Sequence, residues 1–360
     1  MRSVLIGRAM FISLATSAAQ DPCAGCRITL APLVTVGDSA GDGVLFGHPS
    51  SVTVDRRGRV VVADMWGSTP QVLMFAAGRF LRRVGRPGEG PGEFRMPRVL
   101  LSAGDSFAIL DPGLRRATWF GADGQSQRSR PFPPSRNALL LANGAVVIEP
   151  AVRDPLSRDP ALLRVLGSGA TEAVLEPGAR AGCRSMSACV ARDGRALAVG
   201  AVGNWWSVRT HHEYRVEERN GTGAIVRTLR PSSAWFAPYD TLEQQQRGRA
   251  PQSQIVGVWN NPNGYLWIVG RTADAEWRRA EWEPGPRGEG PVRPIPVDAS
   301  QLYDGILEVL DVRTGTVVAQ AREPEPFDGV AGPGLPYTVR LGADGVVRVV
   351  IQRAELRRSQ

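Results

Sequence analysis

A tight turn followed by a short β-forming run recurs six times in this chain of 360 residues, and the repeat restricts the fold more than any other feature. Four of the turns contain Asn-Gly or Asp-Gly, which favour hairpins because both turn positions need a positive φ. A second apolar run precedes each turn, so the sequence predicts six hairpins in series. The paired runs are Val52–Val54 with Arg59–Asp64, Val99–Leu101 with Ser106–Asp111, Ala138–Leu141 with Ala145–Ile148, Ala188–Ala191 with Arg195–Val199, Ile255–Trp259 with Tyr265–Val269, and Tyr337–Leu341 with Val346–Ile351.

Five of the six hairpins are followed by a second hairpin, which predicts sheets of four strands. The sixth has only Arg353–Arg358 before the chain ends, whereas the strand pattern Ile28–Val36 has no partner near the start. If Ile28–Val36 is the outermost strand of the last sheet, all six sheets have four strands and the ring closes. We therefore predict an all-β, six-bladed β-propeller of four-stranded antiparallel blades over residues 28–358. A β-sandwich is the alternative, but it does not explain the four-strand count.

The long connections are predicted to lie together on one face of the disk. In a propeller, the inter-blade connections and those between second and third strands emerge on the same side, and insertions collected on one side mark a functional surface. We call this side the working face and the opposite side the lower face. The connections expected on the working face include Val84–Pro97, Gly200–Glu213, Arg230–Ser253 and Gly270–Gly305.

The basic residues bear on chemistry and partners. All 43 of them are arginine, which excludes a Schiff-base lysine and a P-loop lysine. The arginines are spread along the chain without a cluster. We therefore expect no nucleic-acid partner, because a nucleic-acid site needs positive charge concentrated on one surface.

Residues 1–19 have the pattern of an export signal, with Arg2 and Arg8, a short apolar stretch and small residues before Gln20. Residues 20–27 then form a short segment that contains Cys23 and Cys26. No other segment approaches the roughly 20 apolar residues of a membrane span. The sequence thus predicts a secreted or periplasmic protein without a membrane span.

The segment Gly85–Pro97, with its Gly-Glu-Gly-Pro-Gly-Glu-Phe core, resembles the blade-linking signature of exported bacterial six-bladed β-propeller proteins of the NHL-repeat type. Phe46–Asp64 is similar to the first-blade pattern of that group, and Cys23–Leu30 and Tyr303–Gly315 also resemble it. The resemblance extends over nearly the whole mature chain and implies the fold. It implies almost nothing about activity, because propellers carry many functions.

The glycine-rich segment has two interpretations. Its backbone N–H groups could hold an anion, but Glu89, Glu93 and two prolines argue against a phosphate. A rigid inter-blade latch, with Phe94 packed between sheets, fits the pattern better.

The candidate binding residues are aromatic and basic side chains expected in the working-face connection of the fourth blade. Aromatic rings beside arginine and histidine can recognise sugars, peptides or acidic groups. The alternative is a connection folded over the channel mouth with its tryptophans buried, and Trp277 and Trp282 in the fifth blade invite the same two interpretations. The predicted binding residues are Trp205, Trp206, Arg209, His211 and His212.

Two classes of function stay open. The first is an exported, monomeric binding protein without a cofactor, whose working face takes a small ligand, a glycan or a protein. The second is a lactonase-like hydrolase or lyase with a divalent cation in the central channel. We favour the binding protein, because the sequence contains no Gly-x-Ser-x-Gly elbow, HExxH or P-loop motif and no recognisable metal-ligand set.

Four cysteines in an exported chain favour disulfides, and three pairings are possible. We expect two local bridges, Cys23–Cys26 and Cys183–Cys189. A redox pair would sit at the start of a helix, whereas Cys23 and Cys26 precede a strand.

Overall fold

A computed structural model describes residues 23, 25–37, 44–65, 69–103, 105–141, 143–150, 162–165, 170–173, 194–201, 203–239, 247–284, 294–296 and 298–358. The described residues form six antiparallel sheets of four strands, as predicted. The innermost strand of each sheet contacts the innermost strands of both neighbouring sheets, so the sheets close into a ring around a central channel. The chain is therefore a six-bladed β-propeller.

Within blades 1 to 5, the strands follow one another in chain order from the innermost to the outermost. Blade 1 consists of β2 (Pro49–Val54), β3 (Val60–Asp64), β4 (Gln71–Ala76) and β5 (Arg79–Arg83). Blade 2 follows the small parallel pair β6 (Arg86–Pro87) and β7 (Glu93–Phe94), and consists of β8 (Val99–Ala103), β9 (Ser106–Asp111), β10 (Arg116–Phe120) and β11 (Ser126–Pro131). Blade 3 consists of β12 (Ser135–Leu140), β13 (Val146–Pro150), β14 (Leu163–Val165) and β15 (Thr171–Ala173).

Blade 4 consists of β16 (Arg195–Val199), β17 (Trp205–Arg209), β18 (Val216–Arg219) and β19 (Ile225–Leu229). Blade 5 consists of β20 (Gln254–Asn260), β21 (Tyr265–Ala273), β24 (Tyr303–Asp311) and β25 (Thr316–Glu323). Its insertion carries the pair β22 (Trp282–Pro284) and β23 (Pro294–Pro296) and two short 3₁₀ helices, Trp277–Arg279 and Ala299–Gln301.

Blade 6 closes the ring with both ends of the chain. It consists of β26 (Gly329–Val330), β27 (Pro336–Leu341), β28 (Val347–Arg358) and, outermost, β1 (Cys26–Val36). The pairing of β1 with β28 runs from Cys26 opposite Arg358 to Val36 opposite Val349. The predicted closure by the N-terminal strand is thus confirmed.

The predicted strand order within blade 6 was wrong by one position. The innermost strand is the two-residue β26, which the sequence analysis did not assign, so Tyr337–Leu341 is second rather than first. Val346–Ile351 and Arg353–Arg358 are parts of one continuous strand, because no turn residue separates them and β1 pairs along their whole length. A bulge at Pro32 in β1 takes up the change of register.

The predicted strand order in blade 4 was also wrong by one position, but in the opposite direction. Arg195–Val199 is the innermost strand and not the second, and Trp205–Arg209, expected in a connection, is the second strand. The hairpin turn is Gly200–Asn204, closed by a hydrogen bond of 2.8 Å from the Gly200 N–H to the Asn204 carbonyl. The predicted first strand, Ala188–Ala191, lies outside the described residues.

Apolar side chains fill the spaces between adjacent blades. Between blades 1 and 2, for example, Met74, Phe94 and the stacked rings of Phe107 and Phe120, 5.5 Å apart, form one buried cluster. Burial of a side chain of this size contributes about 1.5–3 kcal/mol. The blades are therefore held face to face by the hydrophobic effect, which leaves their inner edges and their ends for function.

Strand direction assigns each connection to a face. Residues 84–98 and the described parts of two further connections, residues 230–239 with 247–253 and 274–284 with 298–302, lie on the working face, as expected. They join blades or join a second to a third strand. In blade 4 the working-face connection is residues 210–215, whereas Gly200–Asn204 lies on the lower face. The structure joins Cys23 to Cys26, whose Cα atoms are 5.4 Å apart, at the lower-face end of β1. Cys183, Cys189 and the expected signal peptide lie outside the described residues.

Within the part of the chain that the structure describes, no helix is long and apolar enough to cross a membrane.

Candidate functional site at the mouth of the central channel

The innermost strand of each blade starts at the working face, so its first residues surround the mouth of the central channel. Ser51, Arg136, Arg195 and Asp328 come from blades 1, 3, 4 and 6 and line one cavity of about 510 Å³. A neighbouring cavity of about 370 Å³ shares several of these residues and adds Arg98, among others. We call the working-face end of these two cavities the channel mouth.

The wall between blades 3 and 4 is built around a buried carboxylate, Glu149, at the working-face end of β13. It lies 3.6 Å from the Arg136 guanidinium and accepts a hydrogen bond of 3.3 Å from the Arg195 backbone N–H. Asn137 ties the two innermost strands together, since its amide donates to the Arg195 carbonyl at 3.0 Å. Arg195 itself is only 5% exposed. Glu149 thus contacts the guanidinium of Arg136 and the backbone at the start of the next innermost strand.

The wall on the side of blades 5 and 6 contains a second carboxylate, Asp328. Its Oδ2 accepts a hydrogen bond of 2.6 Å from the Val339 N–H, and its Oδ1 lies 3.5 Å from the Arg271 guanidinium. Burial raises the pKa of Asp328, and the charge of Arg271 opposes that rise. Arg271 also stacks over the Tyr303 ring at 5.7 Å, and its Nε has no hydrogen-bond partner among the described residues.

His211 lies between blades 4 and 5 beside this wall. Burial and the charge of Arg271 lower its pKa to about 4, so the imidazole is neutral at neutral pH. Its Nδ1 is 2.8 Å from the Thr210 hydroxyl, and its ring meets Tyr239 edge-on at 6.5 Å. His212 has φ of 72° and turns its ring to the Tyr239 carbonyl. The two histidines therefore lie in one working-face cluster, as predicted, and both contact Tyr239.

The channel below the mouth is lined by apolar residues. Ala196, Ala198, Val256, Val258 and Val330 of the innermost strands are among its lining residues. A polar, arginine-bearing mouth above an apolar channel is the usual arrangement of a site that orients a small ligand by a few charged contacts.

The structure contradicts the predicted position of Trp205 and Trp206. Both lie in β17 and are almost completely buried, at 0% and 2% exposure. Trp205 donates from Nε1 to the Asn220 carbonyl at 2.9 Å, in the lower-face turn of the same blade, which places it across the disk from Gly90. The side chains were misplaced because Asp193-Gly194 was taken as the turn of the first hairpin, whereas that turn is Gly200–Asn204. They offer no surface on which a ligand could stack.

The other predicted residues are at the working face but are engaged with the protein itself. Arg209 forms an ion pair of 2.8 Å with Glu213. Trp277 is buried in the insertion of blade 5, where Arg278 stacks on its ring at 4.5 Å, and Trp282 packs on the same cluster.

The glycine-rich segment is an inter-blade latch, the second of its two interpretations. The Gly90 N–H donates to the Glu93 carboxylate at 2.7 Å, and the Arg95 N–H donates to Asp111 at 2.6 Å. Phe94 is buried between blades 1 and 2. Two of the backbone donors that could have held an anion are therefore occupied by the chain's own carboxylates.

Among the described residues, no three His, Cys, Asp or Glu side chains are grouped so that they could hold a metal ion. The hypothesis of a divalent cation in the central channel therefore has no set of ligands among the described residues.

No protein-family model matches the chain, and no curated protein matches it. Solved structures do. The chain is similar to a member of the duf4221 family from Bacteroides vulgatus, with a TM-score of 0.61 and 8% identity over 92% of this chain and 99% of that chain.

The shared feature is the propeller fold. A luciferin-regenerating enzyme matches with a TM-score of 0.50 and 10% identity over 90% of this chain and 95% of that one. A protein of unknown function from Bacteroides thetaiotaomicron VPI-5482 matches with a TM-score of 0.49 and 12% identity over 92% and 76%. Identities this low show the fold alone, and the NHL-repeat resemblance stays a prediction.

Sequence reasoning missed the residues of the channel mouth. One signal was present, because the second strands of blades 1, 2 and 3 each carry an acid at or next to their working-face end: Asp64, Asp111 and Glu149. Asp64 and Asp111 accept backbone N–H groups of the preceding inter-blade connections, for example His48 N to Asp64 at 2.6 Å. Glu149 faces Arg136 and the next blade instead. The third acid in this repeated position thus differs from the first two in what it contacts.

Proposed function

We propose that this protein is an exported binding propeller whose channel mouth takes a small ligand bearing carboxylate groups. The observation that carries the proposal is the charge of the mouth. Arg98, Arg136 and Arg195 line it and Arg271 stands behind it, against the two carboxylates Glu149 and Asp328. Four arginines against two carboxylates among these described side chains favour an anionic ligand.

The ion pairs at the mouth support this reading. Arg136 approaches Glu149 only to 3.6 Å, and Arg271 approaches Asp328 only to 3.5 Å. Bidentate arginine–carboxylate pairs are shorter, at about 2.7–2.9 Å. Both guanidinium groups thus retain hydrogen-bonding capacity, which an incoming carboxylate can use because its two oxygens match the fork of N–H donors.

The dimensions of the site suit a small molecule. The two connected cavities, of about 510 and 370 Å³, fall in the range of small-molecule sites, roughly 300–1,000 Å³. The neutral imidazole of His211 stands beside Arg271 and adds no positive charge to the mouth. We further propose that the protein acts as a secreted or periplasmic monomer, on the basis of the export-signal pattern in residues 1–19.

The test is a calorimetric titration of the purified mature chain with succinate, citrate and galacturonate, and with phosphate as a non-carboxylate anion. We expect binding of at least one carboxylate, weakened tenfold or more by Arg136→Ala and weakened by added salt. Arg79→Ala is the matched control, since Arg79 is exposed at the lower-face end of β5. The proposal is wrong if no carboxylate binds, if phosphate alone binds, or if Arg136→Ala and Arg79→Ala behave alike.

A further inference from the structure

The outermost strands of the six blades form the outer edge of the disk, and two of them are unusually basic. These are β5 in blade 1 and β11 in blade 2, each of which carries at least two arginines and no acid. Each of the other four outermost strands carries at most one arginine. In blades 4 and 5 that arginine is paired, Arg227 with Glu218 and Arg322 with Asp304. The positive charge of the outer edge is therefore concentrated on blades 1 and 2.

The two basic strands belong to neighbouring blades, and a side chain of one touches the other blade. The Arg82 guanidinium donates to the Asp123 carbonyl, in the turn that precedes β11. A Cβ added to Gly124 in the same turn would lie 3.3 Å from the Arg82 Cδ. Four arginines of these strands are exposed, and we call them the basic rim: Arg82, Arg83, Arg128 and Arg130.

The arginines of β5 are positioned by neutral oxygen atoms. Arg82 bonds to a backbone carbonyl, and Arg83 donates to the side-chain carbonyl of Gln71. Neither forms an ion pair with a carboxylate among the described residues. A guanidinium has five N–H donors, so a single bond of this kind leaves most of them for a partner.

The arginines of β11 lie on one face of that strand. Arg128 is opposite Trp119 of β10, and Arg130 is opposite Ala117. Arg128 stacks over the Trp119 ring at 4.7 Å. Stacking engages the flat face of a guanidinium, whereas its N–H donors lie in its plane. Two charges are thus held about 7 Å apart, which is the spacing of alternate residues in a strand.

The acids nearest in the chain are engaged with other groups. Glu89 and Glu93, between the two strands, pair with arginines of the latch. The Asp123 carboxylate accepts a hydrogen bond of 3.0 Å from the Gln125 N–H. The latch therefore does not cancel the charge of the basic rim.

Charges arranged in this way fit a polymer that carries repeated negative groups. One exposed ion pair contributes little, but several pairs to the same chain add up, because each bond raises the effective concentration of the next group. The fork of donors on each arginine matches the two oxygens of a carboxylate.

The spacing and the lack of exposed rings favour a polysaccharide over a nucleic acid. Duplex DNA carries one charge per about 1.7 Å, which is far denser than arginines about 7 Å apart. Single strands are bound through aromatic rings on which bases stack. The one aromatic residue of the two strands, Phe80, packs on Phe75 at 5.9 Å instead. A polyuronate, with one carboxylate on each sugar, has the lower charge density that this edge requires.

We propose that the basic rim is a docking surface for an acidic polysaccharide of the polyuronate class. The surface lies on the outer edge of the disk, is separate from the channel mouth, and does not depend on the ligand proposed there. Its arginines are dispersed in the sequence and come together only because blades 1 and 2 pack side by side.

The experiment measures binding of the purified mature chain to immobilised polygalacturonate by biolayer interferometry, with neutral dextran as the uncharged counter-probe. We expect polygalacturonate to bind, neutral dextran not to bind, and added salt to weaken the binding because exposed charges are screened. Arg82→Gln/Arg83→Gln/Arg128→Gln should weaken binding at least tenfold, and Arg128→Gln alone several-fold. Thermal unfolding verifies that each variant is folded.

The matched control removes the same charge from exposed positions beside blade 5, and should leave binding within threefold: Arg247→Gln/Arg278→Gln/Arg279→Gln. Arg136→Ala, at the channel mouth, should leave it within twofold. The proposal is overturned if polygalacturonate does not bind, whether or not dextran sulfate or duplex DNA does, if the two triple variants weaken binding equally, or if Arg136→Ala abolishes it. It is also overturned if the basic-rim variant binds as before but self-associates in gel filtration, because the arginines then serve to keep edge strands apart.

Discussion

Replacing Tyr214 with phenylalanine should destabilise the protein because it removes a hydrogen bond to a buried carboxylate. Glu308, in β24, is 0% exposed and accepts a hydrogen bond of 2.5 Å from the Tyr214 hydroxyl. Its other oxygen accepts from Trp235 Nε1 at 3.1 Å and from the Ser233 hydroxyl. These donors come from the working-face connections 210–215 and 230–253. The network therefore fixes the surface that carries His211.

The size of the effect follows from the charge and burial of Glu308. A hydrogen bond to a charged group contributes about 1.5–3 kcal/mol, and Tyr214→Phe leaves one carboxylate oxygen without this donor in a site closed to water. We expect the free energy of unfolding to fall by about 2–3 kcal/mol. Equilibrium unfolding in urea, followed by tryptophan fluorescence, measures it.

Tyr265→Phe is the matched control, because the Tyr265 hydroxyl is half-buried and makes no hydrogen bond within the described residues. It should change the unfolding free energy by less than about 0.5 kcal/mol, as surface substitutions do. If Tyr214→Phe and Tyr265→Phe cost the same, the Glu308 network does not stabilise the connections and the reasoning fails.

The same network has a pH signature. Burial raises the pKa of Glu308 above its ordinary value, against the opposing hydrogen bonds from Ser233, Tyr214 and Trp235. The folded state therefore holds the proton more tightly than the unfolded state, and stability falls as pH rises from the unfolded pKa through the folded one. Glu308→Gln removes this titration. Relative to the unmodified chain, the variant should gain stability with rising pH by about 1.4 kcal/mol for each unit of pKa elevation. If the difference in stability between the variant and the unmodified chain does not vary with pH, this prediction is wrong.

Three further predictions concern the latch, His211 and ring closure. Gly85→Ala should lower the free energy of unfolding in urea by more than about 1 kcal/mol. Its φ is +62°, and a Cβ would meet the Phe94 ring at 2.8 Å and the Gly92 carbonyl more closely still. Gly58→Ala is the control for φ alone, because φ is +75° there and a Cβ would meet open space. The pKa of His211 is lowered in the folded state, so its contribution to the free energy of unfolding is fully present above pH 6.5 and is lost as pH falls towards 4. His211→Gln should reduce the stability lost over this pH range by about 2–3 kcal/mol. An equal loss of stability in the variant and the unmodified chain would refute this. Deletion of residues 20–36 should lower the midpoint of thermal unfolding by more than about 10 °C, because β1 pairs along β28 and covers the edge of blade 6. An unchanged midpoint would mean that β1 does not close the ring.

Blade 4 shows the limit of what local sequence patterns can predict. Asp193-Gly194 and Gly200–Asn204 both look like hairpin turns, and the strands around them are equally apolar. The choice between them sets which strand is innermost, and with it whether Trp205 faces solvent or the core. Only packing decides it. Trp206 is buried in a cluster with Val208, Val216 and residues of blade 5.

The sequence by itself determined the six-fold repeat, the four-stranded blades and the closure of the ring by β1. These follow from turn chemistry and from the period-2 pattern of strands, which act over a few residues. The tertiary structure alone decided which residues meet at the channel mouth. Arg136, Arg195 and Asp328 are far apart in the chain and lie together only because each begins or precedes an innermost strand. That position depends on how blades pack against each other around the ring, and no local pattern encodes it.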